Sequence, residues 1–289
     1  MRKKVFNKLI PILIIIIGLA LVCYPWISEY VYEHGVQSLV QTYKEDSQSL
    51  DEEEKELILA QAHKYNELLL TSNIMLTDPF SLEDKNGDEY NYDSVLNYSG
   101  NGVMGFVDIP KIDVYLPIYH GTSNEVLEKG IGHLENTSLP VGGESTHCVL
   151  SGHTGLNSAK MFTDLTSMEI DDYFFLHVLG DSLAYKVIDI SVVEPDDVSS
   201  LAIQEGRDLV TLVTCTPYGI NSHRLLVTGE RTEYDQQIYD STPKSNDTAW
   251  MGTYRQAILI GILIVVVFFI IIKVIRKIRS KISKGAKKQ

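Results

Sequence analysis

The sequence is poor in cysteine, with three in 289 residues: Cys23, Cys148 and Cys215. So odd and sparse a set excludes a disulfide framework of the kind that staples small secreted domains. A single Cys148–Cys215 bridge is left open. The chain also lacks a basic excess, since its formal charge is −13. Twelve of its basic residues crowd into the two ends, where there is no Asp or Glu, so the remainder carries about −25. A surface of that sign excludes binding to nucleic acid through backbone phosphates. It suits a solvated exterior, or attraction to basic partner proteins. There is no internal repeat.

Long apolar runs are missing from the middle of the chain and present near both ends. The first covers 9–27 and includes Ile14-Ile15-Ile16-Ile17. The second covers 257–272 and is extended to 275 by Val274 and Ile275, with Lys273 able to snorkel to an interface. A spanning helix needs about 20 apolar residues. Arg2, Lys3, Lys4 and Lys8 precede the first run, and Lys273, Arg276, Lys277, Arg279, Lys281, Lys284, Lys287 and Lys288 flank the second. Basic flanks stay on the cytoplasmic side, so the sequence predicts two transmembrane helices with both termini cytoplasmic and roughly 28–250 outside. Trp26, Trp250 and Tyr254 stand where interfacial aromatics belong. No small-x-small cleavage site follows the first run, and Val22 before Cys23 is too large for a lipid-anchor signal. The run therefore reads as an uncleaved signal-anchor. The expected organisation is a cytoplasmic N-terminus (1–8), a span (9–27), an extracellular helical segment (28–75), a lid and loop (76–102), a catalytic β-domain (103–231), a tether (232–256), a second span (257–275) and a basic cytoplasmic tail (276–289).

Helical periodicity appears at Val36, Leu39, Val40 and Tyr43, and again at Leu57, Ile58, Ala62, Tyr65 and Leu69. Asp51-Glu52-Glu53-Glu54 opens the second stretch, where acids suit the helix dipole. Residues 78–102 have loop chemistry. Within them Asp84-Lys85-Asn86-Gly87-Asp88 places its glycine wrongly for a calcium loop and reads as a turn. Short strand-like runs follow at 103–109, 114–119, 146–151, 173–178, 184–193, 209–215 and 224–228, with helical pieces at 125–129 and 161–168. Many short strands with few helices predict a mainly β domain, a sandwich or a closed barrel.

Three segments carry candidate chemistry. The β-branched run 209–215 is a strand, ended by Pro217 and Gly219, so Cys215 sits at a strand end beside a turn. It is either a nucleophile at a scaffold rim or a small buried thiol. The next strand begins His223-Arg224. Antiparallel pairing would return Arg224 to Cys215, where a guanidinium favours thiolate or stabilises an oxyanion; alternation puts His223 on the other face. His153 lies at the end of a third strand, between Gly152 and Gly155, which allow close backbone approach. His147 and Cys148 stand about 15–20 Å from His153 along that strand, too far to share a metal, and no cofactor is expected. His34, His63, His120, His133, His177 and His223 join no local pattern with Cys215 and read as surface or packed residues.

The segment Thr211-Leu212-Val213-Thr214-Cys215-Thr216-Pro217-Tyr218-Gly219-Ile220-Asn221-Ser222-His223-Arg224 resembles the signature of sortases, most closely the pilus-building class C group. Ser151-Gly152-His153-Thr154-Gly155 resembles the histidine segment of the same family, in the same His, Cys, Arg order, with a match covering roughly 103–231. Papain-like enzymes place Cys before His. The resemblance implies an eight-stranded β-barrel and a membrane-bound cysteine transpeptidase of a Gram-positive-type bacterium, cleaving an LPXTG-like sorting signal between Thr and Gly. Cys215 would form a thioacyl-enzyme, His153 protonate the leaving amine and Arg224 hold substrate or oxyanion. Implied partners are pilins or surface proteins bearing the signal, with a pilin Lys amine as acceptor. Asp78-Pro79-Phe80 is similar to a class C lid, which would bring Asp78 to Arg224 or the cysteine and Phe80 over the Cys–His pair; an ordinary helix N-cap is the other reading. Alternatives are a housekeeping-type sortase using a cell-wall amine, a membrane-bound cysteine protease using water, and a non-enzymatic surface receptor.

Overall fold

The computed structural model describes residues 2–71, 76–81, 91–156, 159–244, 258–263, 270 and 273, and only the backbone of 2–15, 19, 21 and 25. The chain divides into two units, residues 23–246 and residues 1–22 with 247–289. In the smaller unit, Ile16, Ile17, Leu259, Ile260, Ile262 and Leu263 are exposed. The expected span 9–27 lies within helix α1 (Arg2–Ser49), and most of 257–275 falls outside the described residues. Among the described residues no helix is long and apolar enough to cross a membrane.

The larger unit begins with the C-terminal part of α1, followed by α2 (Glu52–Thr71). The acidic opening of α2 is a capping box. The Asp51 carboxylate accepts from the Glu54 N–H at 2.8 Å, and the Glu54 carboxylate accepts from the Asp51 N–H at 3.0 Å. Each helix buries a narrow stripe on the barrel. From α1, the Tyr43 hydroxyl donates to the Met104 carbonyl and accepts from the Leu179 N–H. From α2, the Asn66 amide accepts from the Leu139 N–H at 2.7 Å, beside buried Ala62, Tyr65 and Leu69.

Residues rich in β-branched and aromatic side chains then supply eight strands: β1 (Val103–Ile109), β2 (Val114–His120), β3 (Ile131–His133), β4 (Thr146–Ser151), β5 (Tyr173–Val178), β6 (Asp181–Val193), β7 (Asp208–Thr216) and β8 (His223–Thr232). They close a barrel in the order β1-β2-β3-β4-β7-β8-β6-β5. The β2–β3 and β4–β7 pairs are parallel and the others antiparallel. Short helices α3 (Asn124–Lys129) and α4 (Gln236–Ser241) complete the unit. The strand β3 has no counterpart in the sequence reading, because three residues are too few to show a period of two. It pairs with both β2 and β4, and without it the barrel would not close.

Alternation sorts the strands into two faces. Met104, Ile118, Cys148, Leu150, Val210, Leu212, Leu225 and Val227 belong to the main core cluster. The intervening residues Val149, Val213 and Leu226 belong to a separate cluster on the outer face, with Leu134 and Leu201. Two histidines of the sequence reading are packed in hydrogen-bond networks. His133 bonds the Tyr92 hydroxyl at 2.8 Å and the Ser138 carbonyl at 2.9 Å. His147 bonds the Ala202 carbonyl at 2.9 Å and the Thr211 hydroxyl at 2.7 Å.

Candidate active site

The outer-face cluster is the floor of the site. Strand β4 contributes His147, Val149 and Ser151 to this face; β7 contributes Thr211, Val213 and Cys215; β8 contributes Arg224 and Leu226. Parallel pairing aligns Ser151 with Val213, and antiparallel pairing sets Cys215 directly opposite Arg224. Thr216 pairs with His223, so His223 turns away from this face, as alternation requires. His153 follows β4 by two residues. Its carbonyl accepts from the Phe162 N–H at 3.0 Å, and Gly152 is tied down by its N–H to the Val213 carbonyl and by the Thr214 hydroxyl to its own carbonyl at 2.7 Å. A Cβ at Gly152 would stand 2.7 Å from both the Ile131 and Phe162 side chains, which is why this position is a glycine.

Residues 76–81 cover the floor. Leu76 and Phe80 pack against the outer-face cluster, as do Val193 and Val198. Asp78 makes a two-pronged ion pair with Arg224, with Nε–Oδ1 at 2.9 Å and Nη2–Oδ2 at 2.6 Å, both side chains being nearly buried. The Asp78 carboxylate also accepts from the Phe80 N–H at 3.3 Å. The Phe80 ring centroid lies 5.1 Å from the Arg224 guanidinium carbon and 6.0 Å from the His153 ring centroid. Arg224 is steadied from behind by the Asn221 and His223 carbonyls.

This arrangement sets the charges. Burial pushes the Cys215 thiol up; the Arg224 guanidinium pulls it down, and the Asp78 carboxylate pushes it up again. Burial lowers the His153 pKa, with Glu128 opposing. Asp78's hydrogen bonds strengthen the hold of Arg224 on its proton. The covered state thus favours neutral thiol and neutral imidazole, and Asp78 spends the cation that would otherwise face the sulfur. Among the described residues no hydrogen bond joins His153 to Cys215.

Cys148, on the opposite face of β4, is buried and its thiol is pushed well up by burial. It pairs with Val210, five residues before Cys215, a separation of about 16 Å along the strand. All three cysteines are free, and the bridge left open by the sequence does not form. The apolar floor and its walls are not evident in the sequence. The alternation of 147, 149 and 151 with 211, 213 and 215 could have marked the floor. Leu134 and Val198 come from loops and Leu201 from a short 3-10 turn (Ser199–Leu201), and none of these carries such a signal.

A family profile described as Sortase domain matches residues 107–232. Among solved structures, sortase C-1 of Actinomyces oris is 49% identical, over 61% of this chain and 98% of that one, with a TM-score of 0.58. A sortase C of Streptococcus pneumoniae, described with reference to pilin substrate specificity, is 41% identical over 68% and 97%, with a TM-score of 0.60. Sortase D of Bacillus subtilis is 32% identical over 130 residues, which is 44% of this chain and 63%, just under two thirds, of that protein. Sortases are cysteine transpeptidases. With an eight-stranded barrel of this connectivity and matches of this extent, the chain belongs to the sortase family and groups with its class C members.

Proposed function

We propose that this chain is a membrane-anchored transpeptidase that cleaves an LPXTG-like sorting signal between Thr and Gly and passes the acyl half to a Lys amine of a pilin. The observation that carries the reading is the register of β7 on β8: Cys215 stands opposite Arg224, with His153 on the same face, over an apolar floor fit for an extended peptide. The Cys215 thiolate attacks the Thr carbonyl, forming an S–C bond. The tetrahedral oxyanion is held by Arg224. Collapse breaks the C–N bond, and the His153 imidazolium gives its proton to the departing Gly amine. The thioester is then resolved by an incoming amine, whose proton returns to His153.

In the same reading residues 76–81 are a lid. Asp78 occupies the guanidinium that would bind the oxyanion, and Phe80 lies over the approach to His153. Anchoring at 9–27 and 257–275, with the barrel outside and both termini inside, follows from the basic flanks. The lid and the second apolar run favour a pilin acceptor over the cell-wall amine of a housekeeping-type sortase.

The test uses the full chain in detergent with a fluorogenic LPXTG peptide, with and without a Lys-bearing pilin fragment, read by mass spectrometry. Cleavage that disappears in Cys215→Ala and yields a Thr–Lys isopeptide product supports the reading. Cleavage that survives Cys215→Ala overturns it. Cys215-dependent hydrolysis that no amine diverts makes the chain a protease instead.

A further inference from the structure

Among the described residues two buried side-chain hydroxyls have no hydrogen-bond partner, Ser81 Oγ and Ser151 Oγ. Buried polar groups are nearly always paired, so an orphan calls for a physical reason. Ser81 belongs to the covering segment 76–81, and Ser151 to the outer face of β4 that the segment covers. Ser151 has the parity of Val149 and His153 along its strand. Phe80 packs on the cluster containing Val149 and also lies 6.0 Å from the His153 ring, so it flanks the stretch that holds Ser151. Other buried hydroxyls of the barrel are satisfied: Thr211 bonds His147 and Thr228, Thr214 bonds the Gly152 carbonyl, and Thr137 bonds the Leu134 carbonyl. The unpaired groups occur where the proposed function requires one surface to leave and another to arrive.

We propose that Ser151 is a substrate-binding residue whose hydroxyl donates to a backbone carbonyl of the acyl half of the peptide, two residues before the scissile carbonyl. The inference rests on the transpeptidase reading above. Ser151 pairs with Val213, and Cys215 is two residues further along β7, so the Ser151 and Cys215 Cα atoms are about 8 Å apart on the diagonal. An extended peptide covers that distance in about two residues. The floor runs only one way from Cys215, because β7 ends at Thr216, and that way leads over Ser151, Val213 and Val149. In an LPXTG-like signal the residue reached is the proline, which has no N–H, so the available partner is its carbonyl and the serine must donate. The lid offers Ser151 no acceptor.

A hydroxyl orphaned in the covered state and bonded in the substrate complex has a distinctive signature. Removing it takes a contact from the complex and nothing from the free fold. Ser151→Ala is therefore expected to lower kcat/KM about tenfold while leaving the melting temperature unchanged or raised. The effect must also vanish when the substrate lacks its acceptor. With a peptide in which that amide is an (E)-alkene isostere, Ser151→Ala and the parent chain should differ by no more than about twofold. Equal losses on the two peptides, no loss on either, or a fall in melting temperature that tracks the loss would overturn the assignment while Cys215-dependent cleavage persists. Absence of Cys215-dependent cleavage in every form would overturn the reading on which it rests.

Discussion

Replacing Asp78 with alanine should activate the enzyme. The carboxylate holds Arg224 through two charge-assisted hydrogen bonds of 2.9 and 2.6 Å, with side-chain exposures of 11% for Arg224 and 14% for Asp78. Pairs this well aligned and this little screened contribute about 2–3 kcal/mol net. Leu76 and Phe80 keep their apolar contacts in the variant, so the covering segment is loosened rather than removed. A shift of about 2–3 kcal/mol changes the open-to-closed ratio about 30- to 150-fold. While the open state is a minority, kcat/KM rises in proportion. Initial rates with a fluorogenic sorting peptide measure the change, and Asp78→Asn, which keeps one hydrogen bond and loses the charge, should fall between parent and alanine. The same variant frees Arg224 to face the sulfur and removes the carboxylate that pushes the thiol up. The midpoint of Cys215 alkylation against pH should therefore move to lower pH. Cleavage unchanged within about twofold, or an alkylation midpoint that moves upward, would refute the view that Asp78 restrains the site.

Three further outcomes follow from the same structure. Gly152→Ala has no room between Ile131 and Phe162 and must displace the turn carrying His153, so cleavage should fall at least tenfold with a lowered melting temperature, read by kinetics and calorimetry together. Gly229→Ala would put a Cβ 2.5 Å from the Phe174 ring and 3.0 Å from Tyr185 Cβ, on the stacked Phe174–Tyr185 pair, and should cost about 1–3 kcal/mol in urea unfolding far from Cys215. His147 is held below its ordinary pKa by burial. Its neutral form supports the fold fully above about pH 6.5, and that support is lost as the pH falls through the lower folded value. Melting temperatures of Cys215→Ala should thus decline below about pH 6.5, and His147→Gln should flatten the decline; an identical slope in both would assign it to other groups.

Much of the site was legible because its signals are local. A β-branched run stopped by Pro217 places Cys215 at a strand end, and a short connection to the next run makes antiparallel pairing with Arg224 the natural outcome. Glycine on either side of His153 marks a tight approach without saying to what. The seven longer strands announced themselves as short strand-like runs between turn residues, and the start of α2 by the acids of its first turn, which suit the helix dipole. The three-residue β3, the apolar floor and its walls were not legible, since each is made of pieces that mean nothing until they meet.

What the chain determined by itself is the period of its strands, the residue types at their ends and the order of its candidate groups, because these depend on neighbours a few residues apart. Tertiary structure alone decided that β4 lies parallel to β7, which carries Ser151 and His153 to the cysteine across about 60 residues of chain. It alone decided that Asp78 reaches Arg224 across 146 residues and that Ser151 is left without a partner. Side chains so distant in sequence come together only when the barrel closes, and the bonds each makes or lacks depend on which surfaces closure brings into contact.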